Sequence, residues 1–271
     1  MSAPALLASL LDFRRLDQVA TGDSAIHRLD ARAKVLVTLA FIVCVMSFGR
    51  YEIARQLPFF AYPILVCALA RVPARLVVRQ ALVVLPVALL IGLPNPVFDR
   101  TPLFEVAGIA VSGGWVSMLS IVLRALLAAA ASVVLVAVTG FPAICAALER
   151  LGMPKPLAVQ LLFLYRYLGV LGEEAQRMNA AYELRSNGRA LTLRHFGSLA
   201  SRLLLRTWDR AERIYLAMCA RGFTGDFTTG RATRFVPAYW AFLVGACSAF
   251  LLLRTGFLTH ELGALVLGAA R

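Results

Sequence analysis

Residue types that commonly carry out catalysis are few and scattered in this chain of 271 residues. It has two lysines, Lys34 and Lys155, which are followed by Val35 and Pro156. A P-loop needs Gly-Lys-Ser/Thr, because backbone amides and the lysine ammonium hold the nucleotide phosphates together. Neither lysine fits that motif, so the sequence predicts that this chain does not itself hydrolyse ATP by that route.

Metal-binding and nucleophilic patterns are also missing. His27, His195 and His260 are far apart in the sequence, without H-E-x-x-H or a paired carboxylate; this argues against a metal site built by this chain. Ser112-Gly113-Gly114 lacks the G-x-S-x-G pattern of a serine nucleophile. The five cysteines contain no C-x-x-C pair and predict no disulfide. A membrane enzyme with a dispersed site remains the alternative class of function.

The composition predicts an all-α integral membrane protein. Hydrophobic residues make up 60% of the chain, more than a soluble domain of this length usually carries. The formal net charge is +13, and arginines are clustered between the apolar stretches rather than in a separate domain. That distribution is typical of cytoplasmic loops that stay inside during insertion, and it argues against nucleic acid as a partner.

About five apolar stretches predict transmembrane helices. They are Val35–Phe48, Leu57–Ala70, Ala81–Leu93, Trp115–Val138 and Phe235–Leu253. Met1–Phe13 predicts a short helix lying on the membrane, and Phe257–Ala270 predicts a partial span or a surface helix. The chain then divides into residues 1–139, with an N-terminal cytoplasmic segment and transmembrane helices 1–4, a cytoplasmic helical region at 140–234, and a last span with an apolar tail at 235–271.

Two features within the membrane region leave alternatives open. The punctuated segment from Pro94 to Gly114 predicts an external loop, and Val106–Val111 within it predicts a short hairpin or a re-entrant piece. Arg124 lies inside the span Trp115–Val138. An arginine in a span is by default a functional candidate, and the alternatives are that it snorkels or faces the bundle interior.

The polar region predicts two long helices that each end in an arginine. The first runs from Leu157 to about Arg185 and is closed by Asn187-Gly188, and the second runs from about Leu199 to Arg221. Gly222 predicts a left-handed residue just after the second helix. Asp209 and Arg213 have the i, i+4 spacing of an ion pair. These helices are either a docking surface for a soluble partner or a solvated loop whose arginines only enforce orientation.

Several motifs in these residues resemble one known family, the transmembrane T component of energy-coupling factor transporters. The segment Arg206–Phe223 is similar to the family signature. Phe163–Tyr167 and Glu183–Ser186 resemble its cobalt-transport (CbiQ) branch, and His27–Lys34 also fits. In that family two cytoplasmic coupling helices end in Ala-Arg-Gly motifs that engage ATPase subunits. The second motif is intact here as Ala220-Arg221-Gly222, whereas the first is altered to Leu184-Arg185-Ser186.

The resemblance implies a set of site residues in the coupling helices. The ATPase-coupling residues are Leu184, Arg185, Ser186, Ala220, Arg221 and Gly222, and the supporting interface residues are Glu183, Arg210, Glu212 and Arg213. No catalytic, cofactor-binding or metal-binding residue is implied in this chain. ATP is used by the partner ATPase.

The resemblance also implies partners, location and substrate. The partners are two copies of a CbiO-like ABC ATPase, a CbiM-like substrate-binding membrane subunit, a small accessory membrane subunit and the lipid bilayer. The chain is expected in the bacterial plasma membrane, with its N-terminus and coupling helices in the cytoplasm. The implied role is a non-catalytic scaffold for cobalt uptake, with nickel or a vitamin such as biotin as alternative substrates.

Overall fold

A computed structural model of the chain describes residues 24, 26, 27, 29–98, 102–106, 109–186, 193–223 and 237–254. The predicted helices at Met1–Phe13 and Phe257–Ala270 lie outside these residues. The chain divides into two compact units. One comprises residues 1–18 and 141–232, and the other comprises residues 19–140 and 233–271.

The unit of residues 19–140 and 233–271 is built mostly from apolar helices. Its helices are α1 (Ala31–Met46), α2 (Ile53–Gln56), a 3₁₀ turn (Leu57–Phe60), α3 (Ala61–Ala70), α4 (Ala74–Leu82), α5 (Leu85–Gly92), α6 (Asn95–Phe98), α7 (Gly113–Thr139) and α11 (Pro237–Arg254). Two short strands, β1 (Pro102–Val106) and β2 (Ile109–Ser112), form an antiparallel hairpin. The hairpin confirms the first alternative for the segment around Val106–Val111.

Helix α7 organises this unit, because α1 through α6 all contact it. It has 27 residues and a mean hydropathy of 2.6 over its most apolar window, which confirms the span predicted at Trp115–Val138. Among the described residues it is the helix that is long and apolar enough to cross a bilayer by itself. The expected total of about five spans stays a prediction.

The predicted third span is broken in the structure. Helix α4 (Ala74–Leu82) and the segment Leu85–Val97 pass the same length and hydropathy test as a pair, but they are bent by 41° at the break. Pro86 lies in the first turn of α5, and proline cannot donate the backbone hydrogen bond that would continue α4. The predicted span Ala81–Leu93 therefore includes the bend and omits most of α4, and its membrane boundaries stay a prediction.

Aromatic rings fill the centre of the core between α1, the 3₁₀ turn, α7 and α11. Phe41 and Phe59 are both fully buried, with ring centroids 5.8 Å apart. Phe250 of α11 packs edge-on against Phe41 at 5.3 Å. Aromatic pairs in these tilted geometries add to the free energy gained from burying their area. This cluster fixes α11 against α1 although the two helices are far apart in sequence.

Two cationic side chains hold α1 and α7 together in an antiparallel arrangement. Near the start of α1, the buried Lys34 donates from Nζ to the carbonyl of Val138, 3.3 Å away. Beyond the end of α1, Arg124 of α7 donates to the carbonyls of Phe48 and Gly49, each at 3.1 Å. Each cation therefore meets the negative, carbonyl-rich end of the other helix.

The structure also decides between the alternatives for Arg124. Besides the two carbonyls, its Nε and one terminal nitrogen donate to Ser120 Oγ at 3.2 and 2.7 Å, one turn earlier in α7. The Ser120 hydroxyl is fully buried and also accepts from Gln56 at 3.0 Å. Arg124 therefore faces the interior of the unit and joins helices there.

Helix α3 ends in an unusual backbone conformation. Arg71 follows it with φ 55° and ψ 30°, in the left-handed region. Its N–H donates to the carbonyl of Ala68, and the N–H of Val72 donates to that of Cys67. This is the Schellman pattern, in which glycine usually occupies the left-handed position. An L-residue there costs roughly 1–2 kcal/mol, a penalty that glycine at this position would avoid.

The contacts of Arg124 predict the effect of removing its charge. We expect Arg124→Met to lower the free energy of unfolding by about 1–3 kcal/mol, because two carbonyls and Ser120 lose a charged donor. Unfolding of the purified protein by SDS titration in mixed micelles would measure this. The matched control is Ser132→Ala on the same helix, whose hydroxyl donates only to the carbonyl of Ala128. Equal stability of the two variants would contradict the joining role of Arg124.

Candidate functional site

The candidate residues lie in the unit that contains residues 141–232. Its helices are α8 (Phe141–Arg150), α9 (Lys155–Arg185, 31 residues) and α10 (Leu193–Ala220, 28 residues). Helix α8 packs on the first part of α9, where Phe141 stacks on Tyr165 with ring centroids 4.7 Å apart. The helices begin earlier than predicted, α9 by two residues and α10 by about six. The candidate arginines stand at the carboxyl ends of α9 and α10.

The end of α10 presents Arg221 on a well-defined turn. Gly222 has φ 81°, its N–H donates to the carbonyl of Cys219 at 3.0 Å, and the N–H of Phe223 donates to that of Met218 at 3.0 Å. These two bonds make a Schellman motif. A Cβ added at Gly222 would meet nothing within 4 Å, so the glycine serves conformation rather than space. The predicted left-handed Gly222 is confirmed.

The end of α9 is built differently. Ser186 caps it with φ −87° and ψ 0°, and its N–H donates to the carbonyl of Tyr182 at 2.8 Å. Leu184 is 86% exposed and Arg185 is also exposed. Glu183 accepts a hydrogen bond from the amide of Asn179 at 2.8 Å. The predicted closure at Asn187-Gly188 lies outside the described residues.

Both terminal arginines are exposed cations. Within the part of the chain that the structure describes, neither Arg185 nor Arg221 forms a salt bridge. Each stands in the last turn of its helix or just after it, where a cation is favoured by the helix dipole. A guanidinium can there donate several charge-assisted hydrogen bonds to a carboxylate or a carbonyl of another molecule.

The supporting residues are spread along α10 and α9. Arg210 lines a cavity of about 320 Å³ between the two helices, together with Tyr167 of α9 and Ile214 of α10. Arg213 lines a neighbouring, more polar cavity of about 290 Å³. Glu212 is exposed on α10. The structure thus does not bring these residues together with Arg185 and Arg221 into one cluster.

An ion pair that the sequence did not predict connects α9 and α10. The carboxylate of Glu174 accepts from Arg177 at 3.1 and 2.7 Å, one turn away on α9, and from Arg206 of α10. By contrast, the described structure shows no salt bridge between Asp209 and Arg213, so the predicted i, i+4 pair was wrong. Hydrogen bonds from Arg177 and then Arg206 hold the pKa of Glu174 below its ordinary value.

Helix α10 also carries an exposed apolar surface. Trp208 is 73% exposed, and the large apolar side chains around it are similarly exposed. These neighbours are Leu204, Leu205, Tyr215 and Leu216. The half-buried Leu203, Ile214 and Met218 instead face α9, on another side of the helix. Exposed apolar side chains grouped on one side of a helix are typical of a site of protein or membrane contact, and the exposed Glu212 lies among them, one turn after Trp208. The signal for this apolar surface in the sequence was the position of Trp208, one helical turn after Leu204.

Metal-ligand chemistry does not arise among the described residues, where no three His, Cys, Asp or Glu side chains are close enough to hold an ion. The apolar helices of one unit and the exposed helix ends of the other define an all-α membrane protein. Residues 22–231 match the family model described as cobalt transport protein, CbiQ. The match covers more than half of the chain, which therefore belongs to the CbiQ family of membrane transport proteins. The predicted family is confirmed.

Two curated relatives match shorter parts of the chain. An uncharacterized protein of Methanocaldococcus jannaschii is 34% identical over 79 residues, which are 28% of this chain and 30% of that protein. The nickel permease LarQ of Lactiplantibacillus plantarum is 36% identical over 98 residues, which are 35% of this chain and 36% of the permease. The chain thus matches about a third of the length of each relative.

Two glycines of α10 give a matched test of the turn that carries Arg221. We expect Gly222→Ala to destabilise the end of α10 by about 1 kcal/mol, because alanine at φ 81° is strained. Gly197→Ala should instead stabilise the helix by roughly 0.5–1 kcal/mol, since Gly197 lies in a helix with equal room for a Cβ. Amide hydrogen exchange of both variants would measure the difference. Faster amide exchange in α10 in both glycine variants, or in neither of them, would contradict this account of the turn.

The ion pair at Glu174 predicts a pH dependence. Because its pKa is lowered in the folded state, the contact stabilises the α9–α10 pair above the ordinary pKa of the carboxyl group. That stabilisation is lost as the pH falls through the lowered pKa. Arg206→Ala should raise the pKa of Glu174, and high salt should weaken the contact.

A carboxyl-selective NMR titration would measure this pKa in the wild-type chain and in each variant. Arg202→Ala is the control, because Arg202 is an exposed cation one turn earlier on α10. An unchanged pKa in Arg206→Ala would show that the interhelical bond does not persist in solution.

Proposed function

We propose that this chain is the transmembrane coupling subunit of an energy-coupling-factor importer. It transmits the motion of two ABC ATPase subunits to a substrate-binding membrane subunit, and it has no catalytic activity of its own. The observation that carries the proposal is the presentation of Arg221 by a Schellman turn at the end of a 28-residue helix. An exposed cation at the end of a long helix is suited to docking on a partner protein.

The physical basis of docking is the guanidinium at each helix end. Arg185 and Arg221 are exposed in the described structure, so they gain charge-assisted hydrogen bonds when an ATPase groove supplies carboxylates or carbonyls. ATP binding then closes the ATPase pair, and the two helix ends move with their grooves. ATP is bound by the partner, in keeping with the lack of a P-loop lysine in this sequence.

The exposed apolar surface around Trp208 supports a second contact of α10. Five large apolar side chains on one helix, each more than half exposed, are costly in water. We assign this surface to contact with the substrate-binding or accessory membrane subunit, or with the bilayer surface beside it. The same helix would then touch both the ATPases and the membrane subunits.

The orientation follows from the charges that flank the helices. The basic residues that precede the first apolar run and those that follow the second favour the cytoplasmic side of the plasma membrane. They are Arg28, Arg32 and Lys34, and Arg71, Arg75 and Arg79. The N-terminus, the α3–α4 turn and the carboxyl ends of α9 and α10 would then lie in the cytoplasm, where ATP is available.

Cobalt is the substrate that we assign first. The family model is described as cobalt transport protein, and its match spans residues 22–231. Nickel is the second candidate, because the relative LarQ is named a nickel permease. The described residues hold no metal cluster, so on this proposal the ion is selected by the partner membrane subunit.

Charge reversal tests the docking residues. We expect Arg185→Glu and Arg221→Glu to reduce copurification of the ATPase and to abolish or uncouple metal uptake. Reversing one buried interfacial charge should cost at least the roughly 2–5 kcal/mol typical of truncating one partner. Arg202→Glu is the matched control on an exposed, non-terminal position of α10.

The assay compares ATPase copurification, ATP hydrolysis and uptake of Co²⁺ and Ni²⁺ at equal membrane levels of each variant. Loss in both terminal variants with a normal Arg202→Glu supports docking by the helix ends. Full assembly and uptake in both would overturn the proposal and would leave the arginines as orientation signals. Greater uptake of one ion by the wild-type complex identifies its substrate.

A further inference from the structure

An apolar groove of about 620 Å³ lies between α3, α4 and α7. Phe60 and Cys67 line it on the α3 side, Val77 and Leu82 on α4, and Leu126 on α7. Helices α3 and α4 each pack on α7, and they diverge from each other beyond the turn that joins them. None of the candidate coupling residues lines this groove.

Among the described residues that line the groove, the one charged side chain is that of Arg71, which lies in the turn where α3 and α4 meet. Phe60 and Leu82 are the lining residues farthest along each helix from that turn. The groove therefore has a cationic end at the turn and an apolar remainder. A ligand that fits it must combine an anionic head with a long apolar body.

The length of the groove identifies the ligand class. From Phe60 to Arg71 the helical rise of 1.5 Å per residue gives roughly 16 Å. The hydrocarbon core of a bilayer is about 30 Å thick, so the groove is about as long as one acyl chain, which occupies half of that thickness. Arg71 would then lie at the level of the headgroups, where basic side chains attract anionic lipids.

The backbone of Arg71 is an independent observation. Its φ of 55° places it in the conformation that glycine adopts at little cost. Such outliers are concentrated where a side chain has a function to perform. A purely structural turn would be better served by glycine, so the position favours a role for the guanidinium.

We infer that the groove is a binding site for an anionic phospholipid, with one acyl chain lying between α3, α4 and α7 and the phosphate held by Arg71. The inference depends on the membrane placement of these helices and not on the docking of an ATPase. Failure of the docking experiment would therefore not contradict the lipid site. Failure of the lipid experiment would likewise not contradict docking of the ATPase.

The test uses the full-length chain purified in neutral detergent and titrated with phosphatidylglycerol or phosphatidylcholine. Bound lipid is counted by native mass spectrometry, and the lipid-dependent rise in Tm gives an apparent affinity. We expect tighter binding of phosphatidylglycerol by the wild-type chain. Arg71→Gly should weaken it about fivefold, as expected for one basic residue at the membrane surface, and Arg71→Lys should retain most of it.

Arg71→Gly also separates function from folding. Because glycine relieves the left-handed backbone, this variant should melt at an equal or higher Tm without lipid while losing the response to phosphatidylglycerol. Ala68→Trp, which fills the groove, should weaken binding of both lipids. Leu69→Trp is the control, because Leu69 is 63% exposed and does not line the groove.

Two results would overturn the inference. Equal binding of the two lipids by the wild-type chain would remove the assigned role of Arg71. Wild-type retention of phosphatidylglycerol by both Arg71→Gly and Ala68→Trp would exclude the groove as the lipid site and would indicate a membrane subunit as its occupant.

Discussion

The apolar unit depends on two cationic side chains, each of which donates to carbonyls at or just beyond the end of a neighbouring helix. Lys34 donates to the carbonyl of Val138, and Arg124 donates to the carbonyls of Phe48 and Gly49. The last carbonyls of a helix have no partner within it, and in apolar surroundings water cannot supply one. Lys34 satisfies one such carbonyl and Arg124 satisfies two in the turn after α1, and the carbonyl dipoles in turn stabilise the charge of each cation. The core can therefore be almost entirely apolar between these two points.

The pair α9–α10 is held together by weaker means. A carboxylate near solvent, Glu174, joins the helices through Arg206, and two cavities of about 320 and 290 Å³ lie along their contact. Exposed ion pairs contribute little stability and are screened by salt. The α9–α10 contact can thus adjust when another molecule binds, whereas α1, α7 and α11 are joined by a buried apolar core. On the proposed function, the adjustable α9–α10 pair receives the motion of the ATPases, and the helices packed around α7 anchor the chain in the membrane.

Sequence reasoning was accurate where the governing rules are local. The span at α7 follows from one long apolar run, and the left-handed Gly222 follows from a glycine after a helix end. The bend between α4 and α5 was missed because the apolar run that starts at Ala81 continues through it into α5. Glu174 and Arg206 are 32 residues apart, and the partners of Arg124 are backbone carbonyls, so no residue pattern indicates either contact. The first of the two arginine motifs could be placed on a helix end, but its following turn lies outside the described residues.

The two cation contacts of α1 and α7 also determine how this pair can respond to force. Because they lie at opposite ends of α1, sliding α1 along α7 by one residue, a shift of about 1.5 Å, would strain both contacts at once. Tilting the two helices together leaves both intact. The two contacts therefore oppose sliding of α1 along α7 but not a joint tilt, so α1 and α7 can move as one body.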